Sequence, residues 1–272
     1  MKNLFIILLT VCSFSVSYAQ PGWELGGTVG ISTYLGDLNT SYRLEHPGFA
    51  ARLFARYNFN PRICLKFVAS YGHIAANDAD SDNTFEHDRN LSFATHIFEG
   101  AGEFEFNFLP YKHGSKEEFF TPYMFLGFAT YKFNPTAEYK GQTYNLNELG
   151  TEGQFLGAEY NLIQVAFTYG LGIKCDISYE WSINAEFSSR ALFTDYLDDV
   201  STVYPDVKNV RKLHGDVAAA LVDRSVEIGF DPGIGQKDRQ RGNSTDNDSY
   251  HMFTIGLAYY FGYIRCPSIS NN

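Results

Sequence analysis

Asp195, Asp198 and Asp199 crowd into one short segment, TDYLDDVS (194–201). Carboxylates this close can ligate a hard cation such as calcium through oxygen, or act as a pair that activates a water. The spacing matches no EF-hand loop, so a solvated, capped loop is the expectation. His214 lies in NVRKLHGDVAAALVDRS (209–225), where Leu213, Val217, Ala220 and Leu221 predict a short amphipathic helix. A lone histidine on such a helix is expected to be structural rather than a general base. GFDPGIGQ (229–236) carries Gly229, Gly233 and Gly235, but no parallel βα unit precedes it, which argues against a phosphate loop. Neither GxSxG nor HExxH occurs. Among the cysteines, Cys64, Cys175 and Cys266 follow the leader; an odd number excludes a fully paired disulfide framework, and no CxxC or Cys/His spacing suggests zinc. Cys64 and Cys175 read as small buried or lipid-facing residues, and Cys266 as a free or intermolecular thiol. No cofactor or metal is expected.

The elements that must position these residues are strands. From Trp23 the chain alternates, with Trp23, Leu25, Gly27, Val29 and Ile31 on one side and Glu24, Gly26, Thr28, Gly30 and Ser32 on the other. The same period of two recurs over 49–59, 63–72, 123–131, 163–174, 181–190 and 253–261. Over 91–108 the apolar side changes from Phe93 and Ile97 to Phe98 and Phe104, which predicts a β-bulge near 97–98. The second faces are rich in Gly, Ser and Ala. They carry Arg52, Arg56, Lys66, Lys174 and Arg190 together with Glu24, Glu103, Glu105 and Glu186. A solvated strand face has no need of so much glycine, whereas the crowded interior of a small barrel does. Connections alternate: long at 37–47, 74–89, 134–159 and 195–248, shorter at 60–62, 109–118 and 178–180. The fold class expected is all-β, an eight-stranded antiparallel transmembrane β-barrel with long extracellular loops and short periplasmic turns. A soluble barrel or sandwich would place the apolar face inside instead.

The N-terminus supports export. Met1-Lys2-Asn3, an apolar run over 4–11 and Ser17-Tyr18-Ala19 make a signal peptide over 1–19. Cys12 follows a bulky Val11 where a lipobox wants a small residue. The barrel is expected over 20–264 and a short periplasmic tail over 265–272. Trp23, Tyr57, Phe59, Trp181, Tyr259 and Phe261 fall at periplasmic strand ends as an interfacial girdle would. A net charge of −10, with 21 Lys and Arg against 31 Asp and Glu, argues against nucleic acid as a partner. Thr254-x-Gly256-x-x-Tyr259-x-Phe261 is similar to the terminal-strand signal of bacterial outer-membrane proteins, which implies insertion by the barrel-assembly machinery into outer-membrane lipid.

Four segments, GWELGGTVGISTYLGDLN (22–39), LGTEGQ (149–154), RALFTDYLDDVSTVY (190–204) and RGNSTDNDSYHMFTIGLAYYFG (241–262), together resemble the PorG family. That family is the outer-membrane β-barrel subunit of the Bacteroidota type IX secretion system, and the resemblance runs nearly end to end. Its motif positions here are Thr151, Glu152, Gly153 and Gln154; Asp195, Tyr196, Asp198, Asp199 and Ser201; and Arg241, Gly242 and Asn243. Phe155 departs from the pattern, standing where a small residue is expected. The resemblance implies a non-enzymatic role, attaching a periplasmic ring of PorK-like lipoprotein and PorN-like protein to the outer membrane. On the expected topology the ring would meet Tyr111, Lys112, His113, Lys116 and Glu117, then Tyr179, then Arg265 and Cys266. Two other classes stay open: an outer-membrane barrel enzyme (an omptin-like protease or a lipid A deacylase), and a small OmpW-like passive channel.

Overall fold

The computed structural model describes residues 22–41, 43–44 and 46–262. The leader, Arg265 and Cys266 lie outside the described residues. Eight strands cross the molecule: β1 (Gly22–Leu35), β2 (Gly48–Asn58), β3 (Ile63–Asn77), β4 (Ser92–Asn107), β5 (Phe120–Lys132), β8 (Ile163–Asp176), β9 (Trp181–Leu192) and β10 (Ser249–Tyr260). A small hairpin, β6 (Thr136–Tyr139) and β7 (Gln142–Asn145), rises beside β4. All neighbours are antiparallel. The order runs β3-β2-β1-β10-β9-β8-β5-β4, and β4 pairs back onto β3. The ring is therefore closed, with no free edge among these eight strands. Closure is what a membrane demands, since an unpaired backbone group in lipid costs several kcal/mol.

Residue alternation sets which face meets what. Leu25, Leu53, Phe67, Phe128, Leu171, Phe187 and Ile255 point outward, Leu53 being 70% and Phe128 62% exposed. Glu24, Arg56, Lys66, Glu105, Lys174 and Arg190 point inward and are buried. An apolar outside around a charged inside is the inverse of a water-soluble barrel. Strands of 11–16 residues meet or exceed the roughly 9–11 that a tilted strand needs to cross.

The β4 register shows no bulge. Pairing with β3 runs unbroken from Ile63↔Phe106 to Asn77↔Ser92. The change at 97–98 is instead a change of what the interior contains. Phe93 and Ile97 point inward into an apolar layer with Tyr34, Ile74, Tyr131, Phe133 and Met252. Glu99, Glu103 and Glu105 lie on the same inward face, nearer the periplasm. Polarity switches along one face while the strand stays regular.

Below that layer the lumen is filled by ion pairs. Arg56 reaches Glu24 at 2.7 Å and Glu105 at 3.0 Å; Lys174 meets Glu105 at 2.6 Å; Lys66 lies 2.8 Å from Glu103 and 2.6 Å from Glu186. Arg52 joins Glu103 at 3.0 Å and also Glu186, and Arg190 holds Glu99 at 2.7 Å. Five cations thus meet five carboxylates. Six of the eight strands supply these charges, and pairs such as Arg56–Glu105, Lys66–Glu186 and Arg190–Glu99 join strands that are not neighbours, so the network braces the wall from inside.

Candidate functional site at the barrel mouths

The long loops fold inward over the extracellular mouth. Arg89, at the end of helix α1 (Thr84–Arg89), is buried and draws three loops together. Its guanidinium donates to the Asp78 carboxylate at 2.7 and 2.8 Å, to the Arg241 carbonyl at 2.6 Å and to the Asp37 carbonyl at 2.7 Å. Arg241 in turn donates to Glu152 at 3.1 Å and to the Asp199 carbonyl at 2.6 Å. Glu152 accepts from the Ser201 and Thr202 amides at 2.9 and 3.1 Å. Asp199, at a positive φ of 68°, accepts from the hydroxyls of Thr151 and Tyr160. The Asp37 carboxylate accepts the Asn243 amide at 2.9 Å, and a Cβ on Gly242 would lie 2.4 Å from that carboxylate. All three motif segments of the sequence therefore meet in one buried network.

Tyr34 adds a proton-sharing step. Its hydroxyl lies 2.6 Å from Asp198 and 2.8 Å from Asp248, but it has a single proton to donate. Burial pushes both well above the usual range, reinforced for Asp198 by the charge of Asp248 and for Asp248 by that of Asp195. A protonated carboxyl on either one would complete the second contact by donating to the Tyr34 oxygen. Burial likewise raises Asp195 to about 7, and raises Asp199 to about 6 against the pull of Arg241. Asp37 rises to about 6, also through burial.

Of the aspartates that opened the sequence reading, Asp198 and Asp199 are turned onto loop donors, whereas both carboxylate oxygens of Asp195 are buried without a hydrogen-bond partner among the described residues. Asp198 accepts from the Val200 amide, and Asp248 from the Leu197 amide. His214 has a structural partner, its Nε2 lying 2.9 Å from the Gln154 carbonyl. Helix α3 (Val207–Val222; α2 is the short turn Leu146–Leu149) is broken at Gly215, with φ 92° and ψ −176°. Its buried face is Val210, Ala218, Ala219, Leu221 and Val222, while Leu213 is exposed, because the break re-aims the second half. Gly233 and Gly235 wrap the Asp223 carboxylate, which accepts the Gly235 amide at 2.7 Å.

At the periplasmic mouth the turn after β4 does not stand off the barrel. Tyr111 and His113, expected on the surface, are 5% and 6% exposed and tucked inside. His113 lies 3.0 Å from Glu24 and 3.0 Å from Asp176, and stacks on Tyr260 with ring centroids 4.2 Å apart. Burial disfavours its charge, but hydrogen bonds to Asp176 and Glu24 outweigh that and raise its pKa. The Tyr111 hydroxyl donates to Asp176. Neither side chain is available to a periplasmic partner. Lys112 faces outward against Glu118 at 2.7 Å, and Lys116, Glu117 and Tyr179 are exposed.

Sequence reasoning missed Arg89, Asp37, Asp78, Tyr34, Tyr160 and Asp248 as members of the mouth network. Each is a single polar residue in a loop or at a strand end; Tyr34 falls on the inward side of the β1 alternation, and no periodic pattern marks the others. Glu152 and Arg241 were singled out only through a family resemblance.

A closed strand ring, apolar outside and charge-filled inside, with loops locked over one mouth, defines an outer-membrane type of β-barrel. The chain belongs to the family described as "Domain of unknown function (DUF6089)", whose model matches residues 2–219. Comparison with curated proteins gives no match. Among solved structures the chain is similar to Neisserial surface protein A (NspA), at 9% identity and a TM-score of 0.44, covering 88% of this chain and 97% of that one. OprG from Pseudomonas aeruginosa matches at 9% and 0.44, with 90% and 98% covered. Ail, the attachment invasion locus protein of Yersinia pestis, matches at 13% and 0.40, with 88% and 99% covered.

Proposed function

We propose that this barrel is a non-enzymatic scaffold subunit of a type IX protein secretion machinery, anchoring a periplasmic ring of PorK-like and PorN-like proteins to the outer membrane. One observation carries the reading. The segments on which the PorG resemblance rests, Thr151–Gln154, Asp195–Ser201 and Arg241–Asn243, form one interlocked network that closes the mouth. Residues spent on holding loops together serve a rigid fixture better than a catalytic cleft. The paired lumen charges likewise favour a filled post over a passage for solutes.

A ring would dock on the periplasmic side. Lys116, Glu117 and Tyr179 remain exposed there, with Lys112 half-buried beside them, and offer mixed charge beside an aromatic ring; Arg265 and Cys266 follow the last strand in the sequence. The test is co-purification of the tagged protein from native outer membrane in mild detergent, with mass spectrometry of what stays bound. A lipoprotein and a periplasmic ring component are expected in near-equal recovery, and both should fall when Lys116, Glu117 and Tyr179 are changed together to Ala. A barrel recovered alone would sink the reading. Hydrolysis of peptide or lipid A that disappears in Asp195→Ala would replace it with an enzyme.

A further inference from the structure

The lipid-facing wall of β1–β4 differs from the rest of the belt. Elsewhere the outward residues are mostly bulky, such as Phe128, Val165, Leu171, Phe187 and Ile255, with Ala185 an exception. Here a shallow hollow of about 350 Å³ has a floor of Gly27, Ala51 and Ala69 and walls of Val29, Leu53 and Tyr71. Gly100 and Gly102 extend it across β4, where a Cβ would meet nothing within 4 Å.

Directly above the hollow, the same outward face turns polar. His73 and His96 are register partners on β3 and β4, with ring centroids 4.9 Å apart. The Tyr71 hydroxyl lies 2.8 Å from His96 Nδ1. Lys132, the last residue of β5, pairs with Phe98 of β4, one diagonal step from His96, and is exposed. The level of this cluster follows from the strand. His73 is eight residues along β3 from Leu65, the partner of Tyr57 in the periplasmic aromatic girdle. At roughly 2.5 Å of height per tilted residue, that is about 20 Å, close to the far edge of an apolar band about 25 Å tall. A cation and two imidazoles on the lipid face are costly at the midplane but cheap at the headgroup level.

We infer that this wall holds one phosphorylated lipid of the outer leaflet, its phosphate among His73, His96 and Lys132 and an acyl chain in the hollow below. The two parts are independent observations that fit one amphiphile. The imidazoles offer N–H donors, Lys132 supplies the charge, and the missing side chains at Gly27, Ala51, Ala69 and Gly100 leave room for a hydrocarbon chain to lie against the backbone. A bare anion would use only the upper part, and a neutral lipid only the lower.

Native mass spectrometry of the refolded barrel in uncharged detergent tests this, with diphosphoryl lipid A, its dephosphorylated form and inorganic phosphate as probes. One phosphorylated lipid should stay per barrel, with the dephosphorylated form retained roughly tenfold less and inorganic phosphate not retained. Lys132→Ala should weaken retention about fivefold, and His73→Ala with His96→Ala should weaken it further. Gly100→Leu projects into open space, so the barrel still folds, as heat-modifiable gel mobility would confirm; it should also cut lipid retention. Equal retention of both lipid forms, or unchanged retention in the Lys132 and Gly100 variants, would overturn the inference. Inorganic phosphate bound as tightly as the lipid would overturn it as well, by reducing the site to an anion pocket.

Discussion

Arg56 touches Glu24, Glu105 and Asn184 from three other strands, and every one of these groups is buried. Replacing it with Met strips the guanidinium from two buried carboxylates, leaving Glu105 with Lys174 and Glu24 with His113 alone. Arg56→Met should therefore lose about 3–5 kcal/mol, read as a lower urea midpoint of the barrel in micelles. The mouth aspartates behave oppositely to ordinary surface carboxylates. Their folded pKa values are raised above the unfolded ones, Asp195 to about 7 and Asp199 and Asp37 to about 6. Each group's contribution is fully present below the unfolded value of about 4 and is lost as pH rises through about 6–7. His113, also raised, has the same sign: its charged contacts weaken as pH rises through its folded pKa. Cleavage within 193–248, corrected for the protease's own pH profile, should accelerate between about pH 5 and about pH 8, and Asp195→Asn should flatten the change. A cleavage rate that falls over this range would contradict the assignment.

At the level of elements, the strands were legible and the loops were not. Period-two alternation identifies a strand wherever one face differs from the other, and it named the lumen charges on β2, β3, β8 and β9 before any geometry was known. It misread β4, because it assumes that one face keeps one environment along its length. Phe93 and Ile97 sit inside with Glu99 and Glu103, so the signal changed although the register did not. The mouth network had no such signal at all. Arg89 and Arg241 are 152 positions apart, and only the fold brings them within a hydrogen bond. The seam between β1 and β10 shows what glycine does in these strands. A Cβ on Gly256 would lie 2.0 Å from the Gly27 carbonyl oxygen and 2.6 Å from the Thr28 Cα. Gly256→Val should pry the seam apart and cost about 1–3 kcal/mol or block closure, seen as loss of the heat-modifiable band on a gel. Gly100→Val, with open space around it, should leave that band intact.

For the molecule as a whole, layers succeed one another along the barrel axis. The His113 plug, the ion-pair lattice, the apolar layer around Phe93 and Met252, and the loop cap stand in series. Water and ions would have to pass all of them, so the purified barrel in a planar bilayer should show no steady conductance at neutral pH. A stable open level in most insertions would refute this. The lattice also bears on how the molecule is made. Its partners are scattered along the chain: Glu99 on β4 waits for Arg190 on β9, and Lys66 on β3 waits for Glu186 on the same late strand. No N-terminal fragment that stops before β9 has every partner in place. A chain halted before β9 leaves Glu99 without its guanidinium and Lys66 with Glu103 but not Glu186, inside a half-built wall open to water and to any quality-control protease. The finished barrel hides both, so assembly is signed off by its own penultimate strand.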